Sequence, residues 1–149
     1  MKRLIKYMVV VIVLFSVVAL MTGCCGYKLI SGKVTGGGWF DCDRTESKCT
    51  FGFNAQGDGD WCEGMEFKGQ FQFNDHVDTK IHAQVMTLWE YNCEDNTYKF
   101  VGEDKAGNEV VVHVTDNGQP GADPGDEIKI EYGGKTWEGE LGGGNIKIH

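Results

Sequence analysis

From Met65 to Asn74 the chain alternates without a break. Met65, Phe67, Gly69, Phe71 and Phe73 occupy one set of positions, and Glu66, Lys68, Gln70, Gln72 and Asn74 the other. A period of two sends alternate side chains to opposite faces, so this segment predicts a strand with one buried face. The same alternation recurs in Cys49-Phe51-Phe53-Ala55, Ile81-Ala83-Val85, Tyr98-Phe100, Val110-Val112-Val114, Ile128-Ile130-Tyr132, Trp137-Gly139-Leu141 and Ile146-Ile148. No window of a dozen residues after position 28 carries the i, i+3, i+4 apolar stripe of a helix. Turn residues punctuate the runs at Gly57-Asp58-Gly59-Asp60, Gly107-Asn108, Asn117-Gly118, Pro120-Gly121, Pro124-Gly125 and Gly133-Gly134. The last of these separates two short strands and predicts a tight two-residue hairpin.

The pattern predicts an all-β fold: a single antiparallel meander of about eight or nine strands, with no spacer long enough for a crossover helix. A meander of that size has to hide its edges, and closing into a β-barrel does so directly. Ser31–Gly38 and Glu138–Gly144 share the spacing x-G-x-x-x-G-G-G, which suggests glycine kinks where first and last strands meet. A two-sheet β-sandwich is the alternative.

The amino terminus has a different pattern. Lys2, Arg3 and Lys6 precede an apolar run from Met8 to Met21, interrupted only by Ser16. Fourteen residues is short of the ~18 that a membrane span needs and suits a signal peptide. The run ends in Met21-Thr22-Gly23-Cys24, which looks like a lipobox. We therefore expect residues 1–23 to be a lipoprotein signal peptide, Cys24 to be the lipidated residue, and 24–28 a short tether to an all-β domain at 29–149. Two or three acyl chains hold a membrane stably, at about 0.8 kcal/mol per buried CH₂. Four extended residues span only ~13 Å. The expected location is thus the exported side of the cell membrane or outer membrane, close to the bilayer, with the membrane as partner through the anchor.

Without residues 1–23, eleven basic residues face 22 acidic ones, a net charge of −11 over 126 residues. Such a surface repels phosphate backbones, which argues against nucleic acid as a partner. The domain keeps Cys42, Cys49, Cys62 and Cys93, an even number that reads as two disulfides in an exported protein. Three pairings are possible. Cys42 and Cys49 flank a polar stretch between strand-like segments, which favours a hairpin clip there and leaves Cys62 for Cys93. Cys25 is odd, either a free thiol or a further acylation site.

Several blocks resemble the post-COAP domain family. Gly36-Gly37-Gly38-Trp39, Thr50–Gln56 and Gly69–His76 are similar to its opening blocks, and Val112–Gly121 and Leu141–His149 to its closing ones. The resemblance implies a small all-β module of exported proteins. It implies no activity, and the four domain cysteines are not part of the family pattern.

Candidate chemistry is sparse. Ser31 and Ser47, the serines after residue 23, lie neither in G-x-S-x-G nor beside a histidine. Asp75-His76 is the suggestive pair, since a carboxylate can tune an imidazole base, and it defines a secreted hydrolase as one alternative. Carboxylates are abundant, but no two are singled out as a glycosidase pair. His76, His82, His113 and His149 lack zinc-ligand spacing. Asp58-Gly59-Asp60, the Asp116–Asp126 loop and Asp41–Thr45 hold oxygen ligands of the kind calcium takes, without EF-hand spacing. No metal, cofactor or catalytic residue is therefore expected. Trp39, Trp61, Trp89 and Trp137 are many tryptophans for this length. Trp39 and Trp61 sit in or beside expected loops and are the candidate ligand-binding residues; Trp137 shares the alternation of Leu141 and belongs in the core. A barrel could also hold a small apolar ligand, although Phe51, Phe53, Phe67, Phe71 and Phe73 would equally fill it. The expected function is a non-enzymatic binding or structural module of the cell envelope, for a ligand or protein unknown, with a carbohydrate- or cell-wall-binding module as the other alternative.

Overall fold

The computed structural model describes residues 32–42, 47–60, 64–92, 95–118 and 125–149, with the backbone alone for 58–60, 64–65 and 85–91. The expected signal peptide, Cys24, Cys25, Trp61, Cys62 and Cys93 lie outside the described residues. Eight strands follow one another: β1 (Gly32–Asp41), β2 (Lys48–Asp60), β3 (Gly64–Asn74), β4 (Lys80–Asn92), β5 (Thr97–Asp104), β6 (Glu109–Thr115), β7 (Glu127–Tyr132) and β8 (Lys135–Ile148). Each pairs antiparallel with the next, and β1 pairs with β8, so the meander closes into a barrel rather than a sandwich.

Alternation decides which side chains enter. Val34 and Phe40 of β1, Phe51, Phe53 and Ala55 of β2, Phe71 and Phe73 of β3, and their counterparts around the barrel are buried. The rings meet across the lumen. Phe53 of β2 lies 5.1 Å from Phe100 of β5, and Phe73 of β3 lies 5.0 Å from Trp137 of β8, centroid to centroid. A ligand inside would have to displace these rings, so the interior is core. The outside is polar: among the described residues Val77 is the exposed large hydrophobic. That polarity is the reverse of a membrane-spanning barrel, whose apolar band faces outward.

Closure depends on glycine. Gly38 of β1 faces Gly144 of β8, where a Cβ on either would lie 2.1 Å from a backbone oxygen of the other strand. Gly144 also has φ +110°. A bulge at Gly142 shifts the inward positions of β8 from odd (Trp137, Gly139, Leu141) to even (Ile146). That change of parity makes one fourteen-residue strand look like two in sequence. Gly133 and Gly134, at φ +57° and +77°, form the tight β7–β8 hairpin. One expectation is corrected: Gly57-Asp58-Gly59-Asp60 is not a turn but the end of β2, paired residue by residue with Phe67 to Gly64 of β3. Partner strand and ladder override the local turn preference. The Cys42–Cys49 disulfide, with Cα atoms 5.5 Å apart, closes the β1–β2 hairpin as expected.

Candidate functional site

The Asp75-His76 pair does not assemble as a dyad. Asp75 is buried, and its Oδ1 accepts the backbone N–H groups of Val77, Asp78 and Thr79 at 2.9–3.1 Å, forming the β3–β4 turn. Burial works to raise its pKa, and those N–H donors outweigh it, leaving the carboxyl below the usual aspartate range. His76 turns away at φ +60°. Asn74 Nδ2 donates to its Nδ1 at 3.3 Å, so the Nε2 proton goes to Thr50 Oγ1 at 3.0 Å. Carboxylate and imidazole make no hydrogen bond to each other.

Two other aspartates hold loops: Asp104, which the sequence did not single out, and Asp126, which it named only among oxygen groups of the kind calcium takes. Asp104 accepts Tyr132 Oη at 2.7 Å and the backbone N–H groups of Ala106 and Asn108; the tyrosine hydrogen bond leads in holding its pKa well below the ordinary value. Asp126 is fully buried. Its carboxylate accepts Ile146 N–H at 2.7 Å and Asn117 N–H at 2.9 Å, and burial raises its pKa. Among the described residues no group of three or more His, Cys, Asp or Glu side chains is gathered as a metal site. Asp58 and Asp60, expected in a turn with oxygen groups of the kind calcium takes, belong instead to the β2 ladder.

Trp39 also departs from expectation. It lies within β1, not in a loop, and is half-buried on the outer face. A Cβ on Gly142 or Gly143 would fall 2.1 or 2.5 Å from its ring, so the indole rests flat on glycine backbone. Lys48 Nζ covers the other face, 3.3 Å from the ring centroid. An aromatic ring spread over strand glycines shields backbone that would otherwise be bare. Both faces are therefore covered while Lys48 stays in place.

The outer face beside Trp39 has a structure that sequence reasoning missed. Register places Asn145 (β8), Gly37 (β1), Gly52 (β2), Gln72 (β3) and His82 (β4) in one row across five strands. On one side runs the row Trp39–Thr50–Asn74–Lys80, and on the other Thr35–Asn54–Gln70. The two central residues have no side chain, so the row forms a trough. An open depression of ≈420 Å³ lies over Gly52, between Thr50, Gln72, Asn74, Lys80 and His82, and another continues toward Asn54 and Gln70.

Neither glycine is required by the fold. Neither has positive φ. A Cβ at Gly52 would meet nothing within 4 Å, and at Gly37 only ordinary contacts at 3.6 and 3.9 Å. Glycine in a strand interior costs about 0.5–1 kcal/mol relative to alanine, and it marks places where something must approach the backbone closely. A sequence signal exists: Gly52 occupies the polar position of Phe51-Gly52-Phe53, where a side chain is the ordinary occupant. A second depression, on β6–β8, is lined by His113, Thr115, Glu127, Lys129, Glu138 and Glu140. There Gly139 faces Phe40 in the core and Lys129 pairs with Glu131 at 2.6 Å, so packing and charge pairing account for it.

No protein-family model, no curated protein and no solved structure matches the chain.

Proposed function

We propose that this chain is a lipid-anchored, non-enzymatic recognition module of the cell envelope, and that it binds carbohydrate along the Gly37–Gly52 trough. The observation that carries the reading is the pair of facing glycines, which the barrel does not need and a closely approaching ligand does. The walls have suitable chemistry. Asn54, Gln70, Gln72 and Asn74 offer amide donors and acceptors, Thr35 and Thr50 hydroxyls, and His82 an imidazole, all exposed or half-buried. Trp39 supplies a ring at one flank. Such a set suits a polyhydroxylated chain better than an apolar one, and an extended chain fits a trough that crosses strands. The filled barrel interior directs recognition to the outer face, and anchoring at Cys24 would hold that face near the bilayer. The Asp75 and His76 geometry gives a hydrolase reading no support.

The test is a thermal melt of the purified protein against glycans and peptidoglycan fragments, run in parallel on Gly52→Val. A bound ligand raises the melting temperature by mass action. A dose-dependent rise is expected for the parent protein and none for the variant. A ligand that stabilises both equally would place binding elsewhere.

A further inference from the structure

We infer that the glycan held by this face is acidic, carrying carboxylates along its length. The inference rests on the carbohydrate reading above and deepens it by naming the ligand's charge. Its first ground is charge segregation. Lys80 and Lys147 lie in the rows that flank the trough and Lys48 covers Trp39, whereas the acids at outward positions of β1–β4 (Asp41, Asp58, Asp60, Glu66 and Glu90) stand toward the strand ends. The trough is thus locally positive, although residues 24–149 together carry a net charge of −11. Of those acids, Glu66 pairs with Lys68 at 3.1 Å, and Asp41 closes the ladder opposite Lys48. The trough and the rows beside it contain no carboxylate. A polyanion would be repelled by most of the molecule and attracted to the trough, so the local charge selects both ligand and site.

The second ground is Lys48 itself. Its ammonium occupies the face of Trp39 on which a sugar would stack. A neutral sugar reaching the ring must displace the cation and leave it with water, forfeiting the cation–π contact. A carboxylated sugar displaces it and re-pairs it with its own carboxylate. Lys80 ends the row that Trp39 begins, three strand spacings or about 14 Å from Trp39, beside the Gly52 depression. Among the described residues Lys80 makes no ion pair. Two cations along one wall of a trough floored by Gly37 and Gly52 suit a chain that repeats its negative charge.

The experiment compares carboxylated oligosaccharides (oligogalacturonate, oligoalginate and hyaluronan fragments) with their methyl esters, which keep the sugar and lose the charge. Affinities for the full chain are read by tryptophan fluorescence and calorimetry at two salt concentrations. At least one acid form is expected to bind about tenfold tighter than its ester at low salt, with the preference shrinking as salt rises. Lys48→Gln should reduce that preference while leaving the ester's affinity equal or higher, and Gly52→Val should abolish both. Equal or tighter binding of the esters would overturn the inference and leave the carbohydrate reading standing. Binding of an uncharged glycan alone would do the same. Failure of every acidic and neutral glycan would overturn both.

Discussion

Six glycines near the β1 seam look alike in sequence, yet they answer to different forces. Gly38 and Gly144 let two backbones touch, Gly142 and Gly143 accept the Trp39 ring, and Gly37 and Gly52 accept nothing that the chain itself provides. Substitution separates them. Gly144→Ala adds a Cβ against Gly37 O at a φ that side chains rarely adopt, and it should cost about 3 kcal/mol or more, or prevent closure. Gly52→Val should leave stability equal or raise it by up to about 1 kcal/mol, because a β-branched residue suits an open strand position. Paired chemical melts of the two variants check this; a large loss for Gly52→Val would show that the fold does need that glycine. Asp75 makes a second residue-scale prediction. Its folded carboxyl titrates below the unfolded value near 3.8, so its stabilisation is present above that pH and lost as pH falls through the folded value. Melts between pH 2 and 6 should show a shallower acid limb for Asp75→Asn than for the parent protein. An identical limb would mean that the three N–H bonds do not favour the charged form. Of these roles, the sequence could announce the buried phenylalanines through their period. It could not say which glycine is covered, since that depends on a register between residues a hundred positions apart.

At the scale of elements, the alternation located β3, β6 and β7 closely, because one face of each is core and the other is solvent. It was least informative where an element is irregular. The Gly142 bulge divides the pattern of β8 in two, and β2 extends through Gly57–Asp60 because β3 pairs with it there. Asp126 shows a dependency invisible to local reading. Its carboxylate serves two backbone N–H groups, one on β8 and one just after β6, while its own carbonyl accepts Leu141 N–H at 2.8 Å. These bonds hold the bulged part of β8 against the start of β7. Asp126→Ala would strand the Ile146 and Asn117 donors, at a cost of about 2–4 kcal/mol. Hydrogen exchange should then speed first at Ile146 and Asn117. Uniform protection in the variant would assign the bulge's stability to packing alone.

At the scale of the molecule, β1 is the strand on which closure turns, since it pairs with both β2 and β8. Only one covalent link among the described residues fixes it: Cys42, one residue past its end, is bonded to Cys49 on β2. Both cysteines are buried, next to the Asp75 turn that Ser47 Oγ joins by donating to Asp75 O at 3.4 Å. The link closes a loop of seven residues' separation, and chain entropy assigns such a loop about 2 kcal/mol of stabilisation through the unfolded state. Losing it also frees the end of β1 to fray, and fraying there propagates to two seams, because each β1 residue leaving the ladder exposes edges on β2 and β8 together. The double substitution of Cys42 and Cys49 by serine isolates this bond from the other cysteines, which simple reduction does not. We expect its melting temperature to fall by roughly 8 °C, with the transition remaining a single cooperative step. Trp39 fluorescence should report the change early, since its ring bridges β1 to the Gly142–Gly143 backbone of β8. A melt that splits into two transitions would show that β1 detaches before the remaining strands unfold. An unchanged melt would assign closure to the glycine seam and the aromatic core alone.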